Sequence, residues 1–215
     1  MEFKLNTDKI VRIFIPVFYS VGFAGFLIPL SHPYFEKLIP LALILSFILL
    51  VVYHPRQASD RTSVLVFAGI FLSGLIVEMV GVNTGIIFGE YSYGPNLGIK
   101  VLNTPVIIGL NWLILVYTTS SLFEKLTIPS IYKILLASAC MLAYDVVLEQ
   151  IAPLTGMWSW HDTTVPVRNY LAWFIIAVVF QSVIKLVGIK TENVVSKDLF
   201  YSQFIFFLIL LLFLH

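Results

Sequence analysis

The chain has 215 residues, of which 59% are hydrophobic and only 12% charged, with a formal net charge of +1 and a mean hydropathy of +0.96. One small soluble core cannot hide that much apolar surface, so the composition excludes an ordinary soluble domain and predicts a polytopic membrane protein. The 13 Lys and Arg residues form no basic stripe, which excludes nucleic acid as a partner, and the lone Cys140 excludes an internal disulfide.

Spanning about 30 Å of hydrocarbon takes roughly 20 helical residues. Seven stretches qualify, at about 10–30, 38–53, 62–80, 101–123, 129–149, 167–187 and 199–214. The expected fold class is therefore all-α, a single transmembrane bundle over 1–215, with no linker or low-complexity tract dividing it. The first stretch lacks a short apolar region followed by a small-residue cleavage site, so it reads as an uncleaved span. Cytoplasmic loops retain positive charge. Lys4, Lys9, Arg12, Arg56, Arg61, Lys125, Lys133, Lys185, Lys190 and Lys197 fall on one side, against Lys37, Lys100 and Arg168 on the other. Ten against three predicts a cytoplasmic N-terminus, and seven crossings then put the C-terminus outside.

The third and fifth stretches open two similar patterns. Glu78 precedes Thr84-Gly85 by six residues, then come Tyr91 and Tyr93, then Pro105 with Trp112 seven residues beyond it. Glu149 precedes Thr155-Gly156 by six, then come Trp158 and Trp160, then Pro166 with Trp173 again seven beyond. Each copy leaves an odd-numbered helix, crosses a loop and enters an even-numbered one. This predicts a parallel helix-pair repeat over 62–187, with units at about 62–123 and 129–187.

Ionisable residues inside a membrane are costly and default to functional hypotheses. At about 1.5 Å per residue, Glu78 lies roughly 24 Å along its helix from Thr62, and Asp145 is at a similar depth counted from Pro129. Asp145 and Glu149 are four apart and share one helical face. Asn111, descending from the other side of the loop, returns to the same depth. Gly74, Gly81 and Gly85 make a small-residue face beside Glu78 on which another helix can approach closely. Glu78, Asn111, Asp145 and Glu149 are thus expected around one pocket towards the outer leaflet, with Tyr91, Tyr93, Trp158 and Trp160 at its rim. Bland readings stand beside these: the aromatics as an interfacial belt, Glu149 as a helix end in water, Asn111 as a helix-helix hydrogen bond, and Arg168 as a counter-charge for Glu149 or Asp162.

Membrane di-iron enzymes need clustered histidines, whereas His32, His54, His161 and His215 are isolated, and no metal site is expected. No dinucleotide fingerprint follows a strand, and the predicted last span, 199–214, holds no lysine for a retinal Schiff base. Acid chemistry without a cofactor remains. A carboxylic acid held neutral by an apolar site can protonate an alkene, and aromatic faces with a second carboxylate can stabilise the resulting tertiary cation. Water capture gives a tertiary alcohol; proton loss or internal attack gives an isomer or a ring.

The segments Glu78-Met-Val-Gly81-Val-Asn-Thr-Gly85, Phe88-Gly89-x-Tyr91-x-Tyr93, Pro105 to Trp112, Asp145, Gly156-Met-Trp158-Ser-Trp160 and Val165-Pro166-x2-Asn169-Tyr170 resemble the integral-membrane carotenoid biosynthesis protein family, over roughly 62–180. That family includes the carotenoid ψ-end hydratases, of the bisanhydrobacterioruberin hydratase type. The resemblance implies hydration of the acyclic end of a carotenoid in the cytoplasmic membrane of a prokaryote, with a polyene, water and the bilayer as partners. On this reading Glu78, Asp145, Asn111 and Glu149 carry the chemistry. Tyr91, Tyr93, Trp112, Trp158, Trp160, Asn169 and Trp173 hold the substrate. Glu78 is the first choice for the acid because its glycines imply deep burial. A cyclase or isomerase would use the same cation without water. A small transporter or lipid-binding protein is the alternative of another class, disfavoured because few polar residues are visible in the inner half to line a through-route.

Overall fold

The computed structural model describes residues 2–55, 61–162 and 164–214, with the side chains of residues 2–6 left out. Arg56 and the Lys4 side chain, both counted in the charge asymmetry, lie outside that description. Among the described residues seven α-helices follow the apolar stretches: α1 (Glu2–Leu27), α2 (His32–Val52), α3 (Arg61–Thr84), α4 (Ile107–Phe123), α5 (Ser130–Ile151), α6 (Val167–Val187) and α7 (Ser196–Leu214). Six are long and apolar enough to cross a membrane, and α4, with 17 residues, is the shorter seventh.

α4 is the axis of the bundle. It packs against α2, α3, α5, α6 and α7, and Asn111 through Ser121 are all buried. A helix enclosed by protein need not match the hydrocarbon thickness, which lets α4 be short. Its expected start at 101 is corrected to Ile107. Lys100–Val101 (β2) turns back onto Thr104–Pro105 (β3), with Leu102 and Asn103 both at positive φ, the conformation of a tight two-residue hairpin. Asn83 at the end of α3 anchors that turn, donating from Nδ2 to Leu102 O at 2.8 Å and accepting from Asn103 Nδ2 at 2.8 Å. α7 begins earlier than expected, at Ser196, and so carries Lys197 in its first turn.

The loops after α3 and α5 meet in an antiparallel ribbon that apolar periodicity does not reveal. Tyr91–Tyr93 (β1) pairs with Trp158–Trp160 (β4) in the register Tyr91 with Trp160, Ser92 with Ser159 and Tyr93 with Trp158. Gly94 N donates to Met157 O at 2.8 Å and His161 N to Glu90 O at 3.0 Å, extending the ladder at both ends. The backbones approach closely here: a Cβ at Gly94 would lie 2.1 Å from Gly156 O, so only glycine fits.

The half of the bundle away from the ribbon is more polar than expected. Gln181 Nε2 donates to Thr119 Oγ1 at 2.9 Å and Val116 O at 3.1 Å, His54 Nδ1 lies 2.6 Å from the Tyr117 hydroxyl, and Lys185 pairs with Glu124. Hydropathy misses such residues because many satisfy themselves locally: Thr118 and Thr119 donate to carbonyls four residues back, Ile114 O and Leu115 O, at 2.7 and 2.6 Å. That half therefore holds polar groups too, contrary to the expected scarcity, and their number does not disfavour a transporter.

Candidate active site

The ribbon lies across the ends of α3 and α5 and aims its aromatic side chains at the two acids. Glu78 accepts three hydrogen bonds: Tyr91 and Tyr93 hydroxyls donate to Oε2, each at 2.7 Å, and Trp112 Nε1 donates to Oε1 at 3.0 Å. Glu149 accepts three of its own: Trp158 and Trp160 indoles donate to Oε2 at 2.9 and 2.6 Å, and Asn169 Nδ2 to Oε1 at 3.3 Å. Each acid thus takes two bonds from the strand that follows it in the chain. Both are buried, Glu78 at 3% and Glu149 at 4% exposure.

Glycines beside Glu78 do three different things. Gly74, one turn below it, admits α4: a Cβ there would lie 2.9 Å from Trp112 Cβ. Gly81 instead admits the Phe88 ring, which folds back onto α3, and Gly85 at φ +65° turns the chain out of the helix. The expected helix-packing face is therefore real only at Gly74. Trp112 stacks on Trp173 with ring centroids 3.8 Å apart, and Phe180 meets Trp112 edge-on.

Glu78, Glu149, Asn111 and Asn169 line a common chamber of about 20 Å³, walled by Phe88, Ile108 and aromatic rings from both strands. A space of that size holds about one water molecule. Asn111 is buried, and among the described residues no hydrogen bond to its amide is found, so it is a chamber group with free capacity and not a helix-helix tie.

Asp145 stands differently. It is fully buried and does not line the chamber; Asn169 Nδ2, shared with Glu149, donates to its Oδ2 at 3.2 Å. Among the described residues its Oδ1 has no partner. The sequence places Asp145 in the pocket with Glu78; in the structure it sits one turn below Glu149 on the same face of α5, behind the chamber wall, and Asn169 bridges the two acids. Glu149 is the acid that faces Glu78. It does not end its helix in water, and its oxygens are filled by Trp158, Trp160 and Asn169 while Arg168 is exposed. The four ribbon aromatics are likewise acid ligands more than rim residues. Phe88 is the wall residue whose role sequence reasoning missed; the signal was Gly81, seven positions earlier, whose bare Cα makes room for the ring.

Tyr91 and Tyr93 lie outside the spanning helices, and burial, with the adjacent Glu78 carboxyl next in weight, pushes both phenols far above the usual tyrosine range. They therefore stay protonated and act as permanent donors to Glu78. Among the described residues no group of three or more His, Cys, Asp or Glu is arranged to hold a metal ion.

A family model described as "Carotenoid biosynthesis protein" matches residues 38–215. No curated protein and no solved structure compared with the chain matches it.

Proposed function

Because the chain belongs to the carotenoid biosynthesis protein family, we propose that it hydrates the acyclic ψ-end of a carotenoid, placing a hydroxyl on the tertiary carbon. The observation that carries this reading is the water-sized chamber faced by two carboxyls, Glu78 and Glu149. A hydratase needs an acid on one side of the alkene, a base on the other, and room for one water between them.

The ligands of the two acids favour a division of labour. Glu78 is bonded in the main by phenol hydroxyls, whose oxygens keep lone pairs that can accept a hydrogen bond from the acid form of Glu78 while the phenols stay protonated. Glu149 is held in the main by indole N–H groups, which only donate and suit a carboxylate. Glu78 protonates the terminal alkene at its less substituted end, leaving a tertiary cation. Tyr91, Tyr93, Trp158 and Trp160 present ring faces to that charge. A water oriented by Asn111 adds its oxygen to the cationic carbon, and its released proton passes to Glu149. Return of that proton to Glu78 through the chamber restores both groups, so one water is added and nothing else is consumed. Asp145, through Asn169, positions Glu149. In this reading the chain is a multi-pass enzyme of a prokaryotic cytoplasmic membrane, with its N-terminus cytoplasmic and the acids towards the outer leaflet, and the two helix pairs descend from one duplicated unit.

The test is expression of the full chain in cells that make lycopene or γ-carotene, followed by mass analysis of the pigments. Gain of one water supports the hydratase. A new ring at unchanged mass replaces it with a cyclase, and unaltered pigment beside well-folded protein across several acyclic carotenoids overturns both. Glu78→Gln is expected to abolish product while the protein still folds.

A further inference from the structure

A second cavity, of about 150 Å³, adjoins the acid chamber and is almost wholly apolar. The two share Ile108, Asn111 and Trp158 in their walls, so the cavity ends where the carboxyls begin. From there it runs between α1, α2 and α7. Val21 on α1 and Leu38 and Leu41 on α2 line it and are also exposed on the flank of the bundle, which makes the gap between α1 and α2 its mouth. Gly22 and Ala42 supply small side chains where bulk would fill the space.

A larger groove, of about 530 Å³, lies between α2, α3 and α4. It shares no wall residue with the acid chamber and ends at His54 and Tyr117, in the other half of the bundle. Size favours that groove, but continuity with the acids favours the smaller cavity. Continuity decides, because the reacting end of a substrate must lie within bonding distance of the acid that protonates it.

We infer that the α1–α2–α7 cavity is the binding site for the chain of a linear isoprenoid hydrocarbon, admitted sideways between α1 and α2 with its end group against Asn111 and Trp158. The inference rests on the reading of Glu78 and Glu149 as the reacting pair. It goes further in naming the access route and the residues that keep it open. An apolar chain already dissolved in lipid gains little from hydrophobic transfer into this cavity, so its affinity comes from fit, and fit is lost when the space is filled.

The test uses the full-length protein purified in nanodiscs from lycopene-producing cells, with bound lycopene measured by absorbance per mole of protein. The variants are Gly22→Phe and Ala42→Phe in this cavity, Ala68→Phe in the larger groove, Leu72→Phe on the exposed flank of α3, and Glu78→Gln. Gly22→Phe and Ala42→Phe are each expected to lower retained pigment by roughly tenfold or more. Ala68→Phe, Leu72→Phe and Glu78→Gln are expected to retain it. Thermal melting of each variant separates blocked binding from failed folding, and either cavity variant alone suffices if the other does not fold. Full retention by a folded Gly22→Phe or Ala42→Phe, or loss with Ala68→Phe in their place, overturns the inference. If the cavity variants lose pigment but the wild-type protein adds no water, the site stands and the hydratase reading falls. If Glu78→Gln loses product while the cavity variants keep pigment, the reverse holds.

Discussion

Tyr91 and Trp160 face each other across the β1–β4 ribbon with ring centroids 5.1 Å apart, yet they serve different acids. The Tyr91 hydroxyl reaches Glu78 and the Trp160 indole reaches Glu149. A register pair with divided ligation ties the two carboxyls to one rigid element. Neither acid can shift without moving the strand that holds the other.

Removing one of these donors should therefore cost activity more than stability. Tyr91→Phe takes away a hydrogen bond to a buried carboxyl, an interaction of about 1.5–3 kcal/mol, and is expected to slow product formation roughly 10- to 100-fold. Tyr93→Phe should behave alike, since the two hydroxyls share one oxygen of Glu78. Initial rates of pigment conversion, beside melting temperatures, check this; unchanged rates in both variants would detach the tyrosines from the chemistry.

Asp145 and Glu149 separate by substitution. Glu149→Gln removes the proton acceptor facing the chamber and should lower the rate by about 10²- to 10⁴-fold. Asp145→Asn keeps an acceptor for Asn169 at a position behind the chamber, so a loss below roughly tenfold is expected. A pigment time course on matched amounts of folded protein distinguishes them. An Asp145→Asn variant as inactive as Glu149→Gln would place the proton transfer at Asp145.

The ribbon phenols carry a prediction for pH. Their folded-state pKa values lie well above the ordinary phenol value of about 10, so below that value both folded and unfolded chains keep them protonated and they add no pH dependence. Above about pH 10 the unfolded chain ionises them and the folded chain does not, so stability falls as pH rises. Tyrosinate absorbance should therefore be the same for the wild type and a Tyr91→Phe Tyr93→Phe variant up to about pH 10 while both remain folded. An extra titration in the wild type near the ordinary phenol value would show the hydroxyls to be exposed.

Gly74→Val probes the close passage of α3 over α4. Its Cβ would meet Trp112 Cβ at 2.9 Å, and overpacking of this kind costs about 1–3 kcal/mol. The displaced indole would also leave Glu78 Oε1. A lowered melting temperature together with slower turnover is expected, whereas Leu72→Val on the exposed face of α3 should change neither.

Much of this protein is legible along the chain because hydrocarbon imposes strong local constraints. A span must be about 20 apolar residues long, so composition and spacing determine the membrane class, the existence and order of the seven helices, and the oddity of Glu78, Asp145 and Glu149, while the starts of α1, α2 and α4 differ from the apolar stretches by six to eight residues. Spacing pairs Glu78 with Glu149, and depth along the helix pairs it with Asp145. Asp145 and Glu149 lie on one face of α5 a turn apart, and what the sequence does not show is the packing of α5 against α6, which brings Asn169 to bridge the two acids. The strands were invisible for a related reason: three residues per strand carry no readable period, and they pair across more than sixty positions of sequence. Short strands far apart in the chain are held by what they bind. Here the tertiary structure, by delivering two tyrosines to one acid and two tryptophans to the other, made two similar carboxyls chemically different.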